Sequence, residues 1–340
     1  MSLATKYRPS SFDDVVEQDI VVDMLRKLCE SDTLSNRNFL LIGSAGIGKT
    51  TLARIMANHL NHGLGEPIEI DAASNNGVES VRQIVQQASQ YPVGCKYKVF
   101  ICDECHSFSS QSWQIFLKRL EEQPARTIFI FCTTNPEKIP ATILSRVQVF
   151  QLSKISLNGI FKRLIYVLTE EQAEGSDISY EPDAINFISK LANGGMRDAL
   201  TLLDKALSYS SDLSIQNVVK ALNLPDYDKF FDLLSSYAKK DNASITKIVS
   251  EVYDSGVNFI RWFQSFHAFV MNIVKYIFIQ DINETTIPSN YKDKISRYGP
   301  SHCVICLKLA NKLIALNDEL RKTQYLQEIA LTYLCFVNSK

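Results

Sequence analysis

The chain has 340 residues, 46% of them hydrophobic and 21% charged, with a formal net charge of −1. That length allows two or three domains, each with its own core, and the composition is that of an ordinary globular protein. The near-neutral balance excludes a surface that is basic overall, so any nucleic-acid binding must come from a local patch or from an assembly.

The N-terminal stretch "MSLATKYRPSS" has no apolar run and does not read as a secretion signal. The most apolar stretch, "FHAFVMNIVKYIFIQ", is short and carries Asn272 and Lys275, which predicts a buried helix and not a membrane span. Eight cysteines scattered among core-like residues fit a reducing cytoplasm better than a disulfide framework. Two Cys-x-x-Cys pairs, Cys102/Cys105 and Cys303/Cys306, are far apart and in different predicted domains. They are expected to be buried apolar thiols, with zinc the less favoured reading.

Over the first 150 residues, short β-rich runs alternate with helical patterns. The runs are "RNFLLIG", "PIEID", "YKVFICD", "RTIFIFC" and "VQVFQL". Between them lie "KTTLARIMANHL", "GVESVRQIVQQAS" and "SSQSWQIFLKRLEE", each with apolar residues three and four apart. Strand-helix alternation with near-continuous apolar strands predicts an α/β parallel sheet covered on both faces.

After the first strand comes "GSAGIGKTT", Gly43 to Thr51, which fits the G-x-x-x-x-G-K-[ST] P-loop completely. Gly43, Gly46 and Gly48 let the backbone of Ser44, Ala45 and Ile47 curl so that N–H groups converge on phosphate oxygens at a helix N-terminus. Lys49 is expected to reach the β- and γ-phosphates, the Thr50 hydroxyl to ligate Mg²⁺, and Thr51 to continue the binding turn.

The strand "KVFICD" ends in Asp103 and Glu104. Asp103 suits the Mg²⁺ shell, and Glu104 can orient or deprotonate an attacking water. As a string, Asp103-Glu104-Cys105-His106 is also the DExH box of a helicase. The following strand ends in Thr133, Thr134 and Asn135, where a polar tip can face the ligand crevice of a parallel sheet or simply begin the turn at Asn135-Pro136. Arg146 precedes the last strand, and Arg197 opens the helix "MRDALTLLDKAL". Spacing alone does not distinguish either from a solvated arginine.

From about Ser156 onward the strand signals stop. "NGIFKRLIYVLTEEQ", "PDAINFISKLAN" and "MRDALTLLDKAL" have helical period. A second helical block begins near Asn223-Pro225-Asp226, with breaks at Pro288 and at Gly299-Pro300.

Taken together, "KYRPSSFDDVVEQD", the P-loop, "EIDAASNNGVESVRQI", "DECHSFS", "TTNPEKIPATILSR" and "GGMRDALTLLDKAL" resemble the AAA+ ATPase subunits of sliding-clamp loaders. Among these they are most similar to the tau/gamma subunits of bacterial DNA polymerase III. The stretches follow the family's order over roughly the first 210 residues. The resemblance implies three domains: a RecA-like ATPase domain (1–155), a helical lid (156–222) and a helical collar (223–340) that joins a five-subunit ring, homo- or hetero-oligomeric.

It further implies ATP and Mg²⁺ as cofactors, with the sliding clamp, primer-template DNA and other loader subunits as partners. Tyr7, Arg8, Val15 and Val16 would cap the nucleotide. Thr134 matches sensor 1, with Asn135 in reserve, while Arg146 matches a finger acting on the neighbour's ATP and Arg197 matches sensor 2. DNA contacts would fall on Asn75, Asn76, Gly77 and Arg82, and less firmly on Ser109 and Ser110.

The chain departs from the family's pattern in four places. "NHLNHGLGEPIEIDAAS" has no cysteine, so the family's zinc module is not expected. Glu17 replaces a usual glycine beside the adenine contact, Val147 replaces a cysteine after Arg146, and the sequence stops at Lys340, where a collar would end without a tau-type extension. Such a compact form suits either a bacterium or a phage. Of the alternatives, a DExH helicase requires a second α/β lobe, which the helical remainder does not predict, and leaves Cys105 and His106 as incidental turn residues. An ATPase-inactive structural loader subunit would have a degenerate P-loop, and a branch-migration type of AAA+ motor would lack "DAASNNGV".

Overall fold

The computed structural model describes residues 1–31, 38–122 and 126–335. Arg37, at the start of the first predicted strand run, and Lys340, at the expected chain end, lie outside the described residues.

The expected five-stranded parallel sheet forms. Strands β1 (Phe39–Ile42), β2 (Ile68–Asp71), β3 (Lys98–Asp103), β4 (Thr127–Thr133) and β5 (Gln148–Gln151) are ordered β2-β3-β4-β1-β5. Helices α1 (Leu3–Lys6) and α2 (Asp19–Cys29) precede β1, and α3 (Lys49–Leu60), α4 (Val78–Ala88), α5 (Ser110–Glu122) and α6 (Ala141–Leu144) alternate with the strands.

Strand alternation sends successive side chains to opposite faces. Phe39, Leu41, Val99, Ile101, Ile128 and Ile130 pack with α2 and α3, whereas Leu40, Phe100, Phe129 and Phe131 pack with α4 and α5. Both faces are therefore buried, which is why β4 has no exposed residue. On the α5 side, Phe108, Trp113, Phe116, Phe129 and Phe131 form an aromatic cluster whose neighbouring rings lie 5.2–5.9 Å apart.

The chain divides into two units, Met1–Ile178 with Ala192–Asp204, and Ser179–Leu191 with the residues from Lys205 onward. The first unit also contains α7 (Leu157–Ala173), and α9 (Met196–Tyr209) begins in it. The second unit contains α8 (Pro182–Leu191), α10 (Ile215–Ala221), α11 (Tyr227–Lys239), α12 (Asn242–Asp254), α13 (Phe259–Ile279), α14 (Lys292–Ile295), α15 (Pro300–Leu320) and α16 (Leu326–Leu334). Its core is aromatic, with Phe230, Phe263 and Phe266 fully buried.

The expectation that strands cease after Ser156 needs one correction. Ser179–Tyr180 (β6) and Asp212–Leu213 (β7) form a parallel pair in the second unit. Two residues are too few to display an alternation, so the pattern left no trace. No second large sheet of the kind a two-lobed helicase needs occurs among the described residues. None of the described helices is long and apolar enough to cross a membrane.

The N-terminal segment is stitched to α7 within the first unit. Lys6 pairs with Glu171 at 2.8 Å and with Glu174, the Tyr7 hydroxyl donates to Glu171 at 2.9 Å, and Arg163 donates to the Tyr7 carbonyl at 3.1 Å. Burial, and then the bond to Glu171, pushes the Tyr7 phenol up to about 12, so it remains a donor at neutral pH.

Glu17 adds a helix cap. Its carboxylate accepts the Ser156 N–H at 2.7 Å and also the Ser156 hydroxyl, whose oxygen in turn accepts the Gly159 N–H at 3.0 Å in the first turn of α7. A carboxylate beside a helix N-terminus complements the dipole. A Cβ at position 159 would sit 2.4 Å from Glu17 Oε1, so a side chain there would displace the capping carboxylate.

Glu17 itself occupies the left-handed region at φ 51°, the conformation a glycine would take without strain. Glu17→Ala keeps that strain and loses the carboxylate bonds, whereas Glu17→Gly loses the bonds but also sheds the strain, so that the bonds lost outweigh the strain relieved. Thermal unfolding is expected to rank wild type above Gly and Gly above Ala, with Ala about 1 kcal/mol below Gly. Equal stability of the two variants would contradict this account.

Candidate functional site

The site begins where β1 ends. Gly43 at φ 153° turns the chain from β1 into the P-loop, and a Cβ there would meet Ile47 Cδ1 at 2.4 Å and the Leu152 carbonyl, just after β5, at 2.9 Å. The loop runs through Ser44, Ala45, Gly46 and Ile47 to Gly48, the residue preceding α3. The Lys49 side chain is buried, and its ammonium donates to the carbonyls of Gly43 at 2.9 Å and Ser44 at 2.8 Å.

Because β4 lies between β1 and β3, the ends of all three strands adjoin. The Thr50 hydroxyl donates to Asp103 Oδ2 at 2.7 Å, and Asp103 Oδ1 accepts the Glu104 N–H at 3.0 Å. Glu104 is held at φ 46°, and its Oε2 accepts the Thr134 hydroxyl at 3.1 Å. That hydroxyl also lies 2.8 Å from Asn135 Oδ1, while the Asn135 amide donates to Glu137.

His106, expected to be an incidental turn residue, is instead 3.2 Å from Glu104 Oε2 and 3.0 Å from the hydroxyl of Thr133, which is fully buried at the end of β4. The short helical turn Cys105–Ser107 carries it there. The DExH string named the residue, but only the fold supplies its neighbour.

One cavity of the first unit collects most of the expected residues. It is lined by Ala45, Gly46, Ile47, Gly48, Lys49, Thr50 and Thr51, by Asp103 and Glu104, by Tyr7, Arg8, Val15 and Val16, and by Arg197. Gly43 and Ser44 contribute through their carbonyls to Lys49. Thr134 and Asn135 lie behind Glu104 and do not line the cavity, and Arg146 is outside it.

The sequence reading missed Ala4, Pro9, Ile155, Arg163, Met196 and Leu200, which complete the wall. The helical period of Arg163 and Leu200 marks them as packed residues but cannot say against what. The start of α9 is tied directly to the P-loop, since the Arg197 N–H donates to the Gly46 carbonyl at 3.1 Å. Burial first, then the charges of Arg54 and Arg197, lowers the pKa of Arg8 below the ordinary guanidinium value, with Glu69 opposing.

Lys49, Arg8, Arg163 and Arg197 thus share a cavity with two adjacent carboxylates and with the apolar Val15, Val16, Ile155, Met196 and Leu200. A buried ammonium beside a helix N-terminus, with three arginines around the same cavity, fits a polyanion, a hydroxyl-carboxylate pair fits a hard divalent cation, and the apolar wall fits a flat ring. The donor set therefore fits a nucleoside triphosphate with Mg²⁺. Among the described residues, no three His, Cys, Asp or Glu side chains cluster as a further metal site. Cys102, Cys105 and Cys306 are buried and Cys303 is half-buried, all with free thiols, and burial raises the Cys306 thiol to about 11.

The stretch expected to meet DNA is exposed and ordered by Asp71, whose carboxylate accepts from the Ala73 N–H and the Ser74 hydroxyl and whose carbonyl accepts from Asn75. The Asn76 carbonyl accepts the Ser112 hydroxyl at 2.9 Å, linking the start of α5, with Ser109 and Ser110, to the start of α4. Gly77 precedes α4, and Arg82 lies on the groove between α4 and α5 with Lys118 and Arg119, two cations the sequence reading did not select.

A family model described as DNA polymerase III, delta subunit, matches residues 66–156, and one described as DNA polymerase III clamp loader subunit, ATPase lid domain, matches residues 159–212. The DNA polymerase III subunit gamma of Buchnera aphidicola subsp. Baizongia pistaciae is 31% identical, the match covering 87% of this chain and 85% of that one. Subunit gamma/tau of Mycoplasma genitalium is 30% identical over 98% of this chain, and subunit tau of Salmonella typhimurium is 33% identical over 75%. The chain spans 59% and 42% of those two relatives.

Among solved structures, the Thermotoga maritima RuvB Holliday junction branch migration motor superposes with a TM-score of 0.52 at 20% identity, over 68% of this chain and 78% of that one, a likeness of fold alone. With a strand order, a P-loop and a lid segment that agree with these matches, the chain belongs to the gamma/tau family of DNA polymerase III clamp-loader subunits.

Proposed function

We propose that the chain binds ATP with Mg²⁺ and hydrolyses it at an interface with a neighbouring loader subunit, so as to open a sliding clamp and release it around primer-template DNA. The observation that carries this reading is the convergence of Lys49, Thr50, Asp103, Glu104 and Arg197 on one cavity. In this reading residues 1–155 are the ATPase domain, 156–222 the lid and 223–340 a collar in a pentamer working in the cytoplasm.

The N–H groups of the P-loop hold the phosphates, and Lys49 exchanges its carbonyl partners for phosphate oxygens. Thr50 and Asp103 hold the Mg²⁺, which neutralises phosphate charge. Glu104 accepts a proton from the water that attacks the γ-phosphorus as the bond to the bridging oxygen breaks. Thr134, bonded to Glu104, orients that carboxylate, and Arg197 meets the γ-phosphate. The segment with Tyr7, Arg8, Val15 and Val16 closes over the base and ribose. Arg146, lying outside the chain's own cavity, suits action on a neighbour's nucleotide. Asn75, Asn76, Gly77 and Arg82 meet the DNA backbone.

The test of the whole reading is ATP turnover measured with and without primed DNA and a cognate clamp, where joint stimulation is expected and indifference to both would refute it. Lys49→Ala is expected to abolish nucleotide binding in an equilibrium titration. Arg146→Ala is expected to keep nucleotide affinity within about twofold while DNA-stimulated turnover falls by ~10³ or more, and undiminished turnover would end the finger assignment. Affinity for primed DNA should decline with salt at a slope of about −0.9 per phosphate contact in the duplex part. A flat response in a salt titration would remove the DNA role.

A further inference from the structure

Arg146 is not a loose side chain waiting at the surface. Its Nη1 donates to the Thr142 carbonyl at 2.6 Å and to the Ser145 hydroxyl at 3.1 Å, and its Nη2 donates to Glu121 Oε1 at 2.6 Å. Both ends of the ion pair are set by the core. Glu121 follows Leu120, which is buried under the aromatic cluster, and Arg146 lies between Leu144 and Val147, which pack on that same cluster with Ile143 buried nearby. The last turn of α5 and the turn after α6 thus hold a carboxylate against the guanidinium.

We propose that Glu121 is a positioning residue that competes with the neighbouring subunit's phosphate for Arg146 and so holds the finger in a stored arrangement until an interface forms. This rests on the reading of Arg146 as a finger acting in trans. A guanidinium reaches a phosphate best through two parallel N–H bonds, and here Nη1 and Nη2 both already have partners within the chain. Glu121 also cancels the charge that the finger would bring and repels an approaching triphosphate. Exchanging carboxylate for phosphate is nearly balanced, because a half-exposed ion pair shifts an equilibrium only about fivefold at most. The pair therefore restrains the finger without locking it.

The experiment compares Glu121→Gln with Glu122→Gln, a charge-matched control on the next residue, which lies 4.0 Å from Lys118 instead. In the isolated chain, modification of Arg146 by phenylglyoxal, read by peptide mass spectrometry, is expected to be two- to fivefold faster in Glu121→Gln and unchanged in Glu122→Gln. Arg146-dependent ATP turnover at rising chain concentration without DNA is expected to increase by a similar factor in Glu121→Gln, with kcat rising and KM for ATP unchanged. Unchanged labelling overturns the proposal. So does faster labelling with unchanged or reduced turnover, since Glu121 would then be no competitor of the phosphate. Arg146→Ala in both backgrounds keeps the two ideas apart, because turnover that ignores Arg146 would sink the finger reading instead.

Discussion

A buried ammonium governs the first unit. Lys49 is 6% exposed, and its bonded partners are two backbone carbonyls, with no carboxylate among them. Taking such a charge out of water costs several kcal/mol unless strong partners replace the lost hydration. Carbonyl dipoles of a tightly curled loop supply part of that compensation, and a phosphate supplies more. The tight curl is possible only because Gly43 leaves Ile47 and the Leu152 carbonyl the space a Cβ would fill. The loop's geometry and its preference for an anion are thus one property, and Asp103, which lines the same cavity, accepts from the Thr50 hydroxyl.

The sheet order turns that loop into a site. With β4 between β1 and β3, the P-loop, the carboxylates and the polar end of β4 adjoin, although 49, 103 and 134 are far apart in the chain. This part was legible beforehand, because near-continuous apolar runs such as "TIFIFC" identify strands buried on both faces, and strand ends in parallel sheets face a crevice. The position of Thr134 behind Glu104 was legible only as one of three polar tips. Its hydroxyl reaches Glu104, whereas Thr133 is fully buried and serves His106 and the Asn135 backbone.

What escaped the sequence was the wall built from distant helices. Arg163 and Leu200 have the period of ordinary packed positions, and period records that a face is buried, not which neighbour buries it. The same limit hid the purpose of Glu17. At the sequence level it was a departure from a glycine, with an uncertain consequence for the base. In the fold it retains the left-handed backbone and adds a carboxylate cap on α7, so the segment that carries Val15 and Val16 is fixed to the helix that carries Arg163. A local strain is tolerated where several bonds over-determine the conformation.

Electrostatics carries the same lesson one step further. A net charge of −1 describes a chain whose cations are nonetheless concentrated, with Arg8, Arg163, Arg197 and Lys49 around one cavity and Arg146 outside it. Cations gathered in a low-dielectric cleft raise the local potential for polyanions whatever the total charge is. They also repel one another: burial is the main reason the Arg8 pKa is lowered, and the charges of Arg54 and Arg197 lower it further. In the proposed reading a triphosphate would relieve the repulsion within the cavity, whereas Arg146, outside it, is already neutralised within its own chain by Glu121. The difference in partner follows from the difference in place: a cation turned into the cavity shares it with other cations, and one outside it meets the carboxylate that its own fold sets beside it.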